Sequence, residues 1–278
     1  MAMSGACRLL TVLLAALSLT GCATPDPAPW FAKAAAAGFE PPRVIGPQAP
    51  FVAMARWGEH AGGVLTVYVE GDGAAWSPAG PPANPTPLMP VALDLAIADP
   101  GAPLLYLGRP CQFMAWQEAA CPVRLWAGGR FGADVVAAMD VAVIDAEQRS
   151  GASRLVLVGF SGGAAAAALL ALRHPETVLL VTVAGVVDHA AWTRLHRVAP
   201  LEKSLNPAYQ GEKLARIRQM HLVGTEDRIV PPALIEGLVA RYGDRSAATI
   251  MTTPNGHDCC WSEGWAAWIA AQRAALAS

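Results

Sequence analysis

From Phe51 to the C-terminus, short apolar runs alternate with stretches of helical period, and this alternation restricts the chain to few architectures. "FVAMARW" and "GVLTVYVEG" read as strands joined by the polar turn "GEHAGG". "PVALDLAIADPG" is a helix closed by Asp-Pro-Gly, and "PLLYLGRP" is a short buried strand. "RFGADVVAAMDVAVIDAEQRSG" carries apolar residues at helical spacing and stops at Gly151. The strand "RLVLVGF", an alanine-rich helix and the strand "TVLLVTVAGVVD" follow. Strand-and-turn "RQMHLVGTEDRIVPP", helix "PALIEGLVARYG", strand "AATIMTTPNGHD" and helix "WAAWIAAQRAALA" complete the chain. Strands this apolar must be covered on both faces. The expected fold class is α/β: a mostly parallel sheet with an antiparallel N-terminal hairpin and helices on both faces. At 278 residues the chain suits one such domain.

The segment before the domain has a different logic. "MAMSGACRLLTVLLAALSLTGC" places Arg8 ahead of an apolar run from Leu9 to Leu19, the length of a signal-peptide core and too short for a permanent span. Its end, Leu19-Thr20-Gly21-Cys22, resembles the lipobox of bacterial lipoproteins. That resemblance implies cleavage before Cys22, lipidation of Cys22, and export to the cell envelope; Ala23 after the cysteine resembles the outer-membrane sorting pattern. The expected organisation is a signal peptide over 1–21, an Ala/Pro-rich tether over 22–50 with a short helix at Pro29 to Ala37, and a domain over 51–278.

A formal net charge of −2 supplies no basic surface for nucleic acid. In an oxidising compartment Cys111, Cys121, Cys259 and Cys260 are disulfide candidates, with three pairings open. A bridge between Cys111 and Cys121 would staple "CQFMAWQEAAC", and the adjacent Cys259 and Cys260 could pair or stay as thiols. No Cys-x-x-Cys or His-x-x-x-His spacing supports zinc, and no cofactor is expected.

The chemistry concentrates at Gly159-Phe160-Ser161-Gly162-Gly163, where a strand turns into a helix. A nucleophile in such a turn needs glycines beside it to relieve β-carbon contacts. The backbone N–H of Gly162, at the new helix's N-terminus, can then face a developing oxyanion. A serine nucleophile needs a base, and the base an orienting carboxylate. Asp227 stands beyond a strand in "HLVGTEDRIVPP", and His257 follows the last strand in "TTPNGHDCCW". Asp188 is the rival acid, but in "VAGVVDHAAW" it reads as a helix N-cap.

Ser161, Asp227 and His257, in that order and each after a strand, make the chain resemble an α/β-hydrolase over about Phe51 to Ala277. The resemblance implies that the loop "VYVEGDGAAW" supplies a second oxyanion donor. By position that is the N–H of Asp72, with Gly71 as the alternative; Glu70-Gly71 stands where many members have His-Gly. "LYLGRPCQ" and "FGADVVAAM" also resemble segments of exported bacterial lipoproteins of the serine hydrolase and esterase type. The implied activity is cleavage of a small-molecule ester, thioester or amide through an acyl-enzyme. The alternatives are acyl transfer with the same triad, and a binding protein without turnover on the same fold.

The remaining chemistry-bearing residues have plainer readings. His60 in a turn, His174 at a helix end and His221 inside a strand are structural. Glu70 and Asp72 either tune the histidine or cap backbone amides. Trp76, Trp116 and Trp126 are candidates for a pocket wall, although exposure or core burial is the commoner fate of tryptophan, and the loops 77–90 and 111–121 are expected to shape the pocket. No long lid is visible, which favours small or soluble substrates.

Overall fold

The structure is a computed structural model, and it describes residues 25–58, 63–75, 79–114, 121–243 and 246–277. The expected signal segment, Cys22, His60, Trp76 and Trp116 lie outside the described residues. The chain begins with α1 (Ala28–Ala36), β1 (Arg43–Ile45), β2 (Phe51–Arg56) and β3 (Val64–Val69). Next come α2 (Val91–Ala98), β4 (Leu104–Leu107), α3 (Ala133–Ser150), β5 (Arg154–Phe160) and α4 (Gly163–Ala171). β6 (Thr177–Val183), α5 (His189–His196), α6 (Gly211–Leu214) and β7 (Gln219–Gly224) follow, then α7 (Ala233–Ala240), β8 (Ala248–Thr253) and α8 (Trp265–Ala277).

The strands form one sheet in the order β1-β2-β4-β3-β5-β6-β7-β8. β2 runs antiparallel to both β1 and β4, and every other pair is parallel. The antiparallel N-terminal hairpin is therefore β1 with β2, residues 43–45 against 51–53. β2 and β3, the two strands read on either side of "GEHAGG", are not neighbours, because β4 lies between them. The segment read as a tether also needs correction over its described part. Ala34, Phe39 and Ala49 are buried, Trp30 and Phe31 pack their rings on Phe113, and β1 joins the sheet. Apolar residues scattered among the alanines and prolines dock this segment on the domain.

Period-two alternation sorts the strands' side chains between two cores. Leu155 and Leu157 of β5 pack with α3 and α4, whereas Val156, Val158 and Phe160 face α2 and α8. α4 is buried along its whole length, from Gly163 to Ala171. Its alanines let it lie close to β3, β5 and β6 with α3 behind it, which is how a helix apolar on all sides is accommodated. α3 ends where expected, at Gly151 in the left-handed conformation with φ 66°, its N–H on the Glu147 carbonyl. No helix among the described residues is long and apolar enough to cross a membrane.

Candidate active site

The turn between β5 and α4 holds Ser161 at φ 50°, a left-handed conformation that a serine seldom adopts. Its backbone N–H donates to the Val183 carbonyl, and its carbonyl accepts from Ala164 and Val186. The flanking glycines are required by space. A β-carbon on Gly159 would collide with the backbone of Gly163 and Ala164, and one on Gly163 with the carbonyls of Val69 and Glu70. Parallel register thus brings the end of β3 hard against the serine turn.

Asp227 and His257 meet Ser161 at the same sheet edge. His257 Nδ1 lies 2.8 Å from Asp227 Oδ2, and His257 Nε2 lies 3.0 Å from Ser161 Oγ. A carboxylate only accepts, so Nδ1–H donates to Asp227 and Nε2 is left to accept from the serine hydroxyl. The Asp227 side chain is fully buried, and its Oδ1 accepts from the N–H groups of Ile229 and Val230. Burial pushes its carboxyl up, but the hydrogen bonds from His257, Val230 and Ile229 outweigh it and hold the group below the usual carboxylate range. The His257 loop is tied by Trp261 Nε1, which donates to the His257 carbonyl, and by a Cys259–Cys260 disulfide. The other pairing is Cys111 with Cys121, their Cα atoms 5.9 Å apart.

The loop after β3 is clamped from all sides. Glu70 is buried, and its carboxyl accepts from the N–H groups of Gly71, Ala92 and Leu93 and from the Tyr106 hydroxyl. Glu70 therefore caps the first turn of α2, and burial raises its pKa to about 7 against these hydrogen bonds. Gln112 Nε2 holds the Gly71 carbonyl. Asp72 is gripped by two guanidinium groups, Arg109 at 3.0 Å and Arg130 at 2.7 Å. Burial would raise the Asp72 carboxyl, yet the two arginines bring it below its ordinary value. Of the two alternative donors read from the sequence, Gly71 has its N–H engaged by Glu70. The N–H groups of Asp72 and Gly162 have no hydrogen-bond partner among the described residues.

A cavity of about 660 Å³ opens over Ser161 and His257. Its walls are mainly apolar, including Leu88, Met89, Phe131, Val186, Trp192 and Ile229. The loop 77–90 contributes as expected, through Pro81, Pro87, Leu88 and Met89. The described residues of the loop 111–121 do not line it, and Trp126 is a core residue whose Nε1 donates to the Pro82 carbonyl. Trp192 and Arg130 were missed as wall residues. The segment between β6 and β7 brings Trp192 over the site, where its Nε1 donates to the Ile229 carbonyl. Its apolar "HAAW" and "VAPL" stretches were the available signal.

The remaining assignments fall away from the chemistry. Asp188 caps α5 by accepting from Ala191, and it also holds Asn206 and Arg241. His174 lies between Asp140 and Glu176, and His221 is buried against Thr182. His189, in contrast, lines the cavity, stacked on Phe131 with Nε2 donating to the Leu205 carbonyl.

Residues 136–259, less than half of the chain but spanning Ser161, Asp227 and His257, match the family model described as serine hydrolase (FSH1). No curated protein sequence matches the chain. Among solved structures it is similar to an alpha-beta serine hydrolase homologue from Coxiella burnetii, with TM-score 0.53 and 16% identity over 85% of this chain and 97% of that one. It is similar to the esterase Pf2001 of Pyrococcus furiosus, with TM-score 0.57 and 10% identity over 87% and 90%. A puromycin-hydrolyzing peptidase of Mycobacterium tuberculosis gives TM-score 0.54 and 15% identity, over 84% of this chain but 38% of the peptidase.

Proposed function

We propose that this chain, which has the α/β-hydrolase fold, is a serine hydrolase that cleaves a carboxylic ester, thioester or amide through an acyl-enzyme. The observation that carries the reading is the unbroken hydrogen-bonded series Asp227–His257–Ser161, under a cavity lined by the last two. His257 Nε2 takes the proton as Ser161 Oγ attacks the substrate carbonyl carbon. Asp227 keeps the ring's Nδ1–H pointed at itself and stabilises the imidazolium that forms. The N–H groups of Asp72 and Gly162 donate to the tetrahedral oxyanion. The bond to the leaving alcohol, thiol or amine breaks as that group takes the proton from Nε2. Water then gives a proton to the same nitrogen, attacks the acyl carbon and releases the acid, and Ser161 regains its proton.

The test is labelling of the full chain by a fluorophosphonate, with the adduct located by peptide mass spectrometry. Labelling at Ser161 that is lost in His257→Ala supports an activated nucleophile. Absence of labelling in folded protein counts against it.

We also propose that the protein is exported and anchored through lipid on Cys22, supported by the order of charge, apolar run and Leu-Thr-Gly-Cys in the sequence. Radiolabelled palmitate should enter the wild type and not Cys22→Ser, which should move to the soluble fraction.

A further inference from the structure

The wall beside the oxyanion donors carries a cation that its acidic neighbour does not need. Asp72 has one carboxylate and two guanidinium partners. Arg109 is the more deeply buried: Nη1 holds Asp72 Oδ1, Nη2 donates to the Arg130 carbonyl, and the guanidinium lies 4.8 Å over the Phe131 ring. Arg109 alone balances the charge of Asp72. Arg130 is fixed by Nε on the Ala127 carbonyl and Nη1 on Asp72 Oδ2, while its Nη2 has no partner among the described residues. Among the described residues lining the cavity, Arg130 is the only Arg or Lys. The other lining acids do not meet it. Glu70 is turned to the α2 amides and Tyr106, and Asp258 is exposed and makes no ion pair with Arg130. A guanidinium held rigid in an apolar wall, with donor capacity left over, matches a planar carboxylate better than it matches water.

We propose that the cavity selects substrates bearing a second, ionised carboxylate, which seats on Arg130 while the scissile carbonyl lies at Ser161. This rests on the serine-hydrolase reading and names its substrate class: monoesters of dicarboxylic acids, or esters of hydroxy acids. The apolar linker between the two ends lies against the aliphatic and aromatic walls.

The test compares kcat/KM for 4-nitrophenyl monoesters of adipic and suberic acids with that for the same esters capped as far-end carboxamides. A second pair, acetate esters of 4-hydroxybutyrate and of its amide, reads the alcohol side. In the wild type one anionic member should exceed its neutral partner by about tenfold or more, mainly through KM. In Arg130→Gln that ratio should fall to about one whatever the absolute rates, and Arg130→Lys, which keeps charge without the fork, should restore part of it.

A measurement without any variant uses the wild type cleaving 4-nitrophenyl butyrate, inhibited by the monoamide or the diamide of adipic acid. Both offer a carboxamide to the serine, and only the monoamide has a carboxylate for Arg130; it should inhibit at least about tenfold better. Cleavage of neutral esters with no anionic preference, or equal inhibition by the two amides, overturns the subsite and leaves the hydrolase reading standing. Failure of every ester, with no fluorophosphonate adduct at Ser161, removes the hydrolase reading and the subsite with it.

Discussion

The carboxylate of Asp72 lies against the Cα of Gly162, so closely that a β-carbon at 162 would stand where the carboxyl group is. The backbone of Gly162 has φ −62°, a conformation any residue adopts, so only space demands the glycine. Gly162→Ala should therefore displace Asp72 and the loop whose N–H is proposed to face the oxyanion. We expect kcat to fall by about 10²-fold or more, the scale of losing one such donor. Gly237→Ala is the control, because nothing lies within 4 Å of its β-carbon position in α7. It should raise stability by roughly 0.5–1 kcal/mol in urea denaturation and leave turnover as it was.

Asp227 touches His257 but is sealed from the cavity, so in the proposed mechanism its removal should show in turnover and not in substrate binding. In Asp227→Asn the side-chain oxygen can still accept from Ile229 and Val230, while the amide N–H₂ faces His257 Nδ1. That forces the other tautomer and places a proton on Nε2. Steady-state kinetics should show kcat reduced by about 10⁴-fold with KM little changed. A parallel rise in KM would argue that Asp227 serves the shape of the pocket instead.

Arg109 is the hidden member of the clamp on Asp72. Arg109→Met keeps the apolar contact with Phe131 but leaves Asp72 to Arg130 alone and the Arg130 carbonyl without its donor. Asp72 keeps Arg130 as a counter-charge, so the loss is that of two buried charge-assisted hydrogen bonds, about 3 kcal/mol in equilibrium unfolding. A loss below about 1 kcal/mol would place the pair in the class of exposed ion pairs.

His221 opposes folding in acid. It is buried in β7 with Nδ1 on Thr182 and Nε2 unpartnered, and burial lowers its pKa to about 4 from the ordinary 6.5. As pH falls below the ordinary value the unfolded chain takes up a proton that the folded chain refuses until about pH 4. Stability is thus lost progressively between those limits, by about 3 kcal/mol in all. Glu70, raised to about 7, works in the opposite direction, since the folded state holds its proton as pH rises from the ordinary carboxylate value. The informative quantity is the difference between wild type and His221→Gln, which should shrink as denaturation is moved from pH 7 to pH 4.

The Cys111–Cys121 bridge closes a short loop beside Gln112, which holds both the Gly71 carbonyl and the Arg109 N–H. Loop-closure entropy for about ten residues corresponds to roughly 3 kcal/mol. The double variant Cys111→Ser, Cys121→Ser should show that loss in thermal unfolding, and a non-reducing digest of the wild type should yield the linked peptides.

Sequence chemistry alone determined the elements and the candidate triad. Period-two runs and helical stretches are local signals, and glycines around Ser161 announce a turn in which β-carbons would clash. Asp227 and His257 were legible because each follows a strand, and a parallel sheet gathers such ends at one edge. Tertiary structure decided the rest. β4 entered between β2 and β3, and the Ala/Pro-rich segment docked instead of extending, because strand partners and docking faces are chosen by contacts far apart in the chain. Which N–H was left open in the β3 loop depended on Glu70 folding back on Gly71 and capping α2, some twenty residues later. Trp192 and Arg130 reached the cavity from segments whose local patterns say only helix and loop. A side chain's neighbours across space are set by the packing of whole elements, and no period in the sequence encodes them.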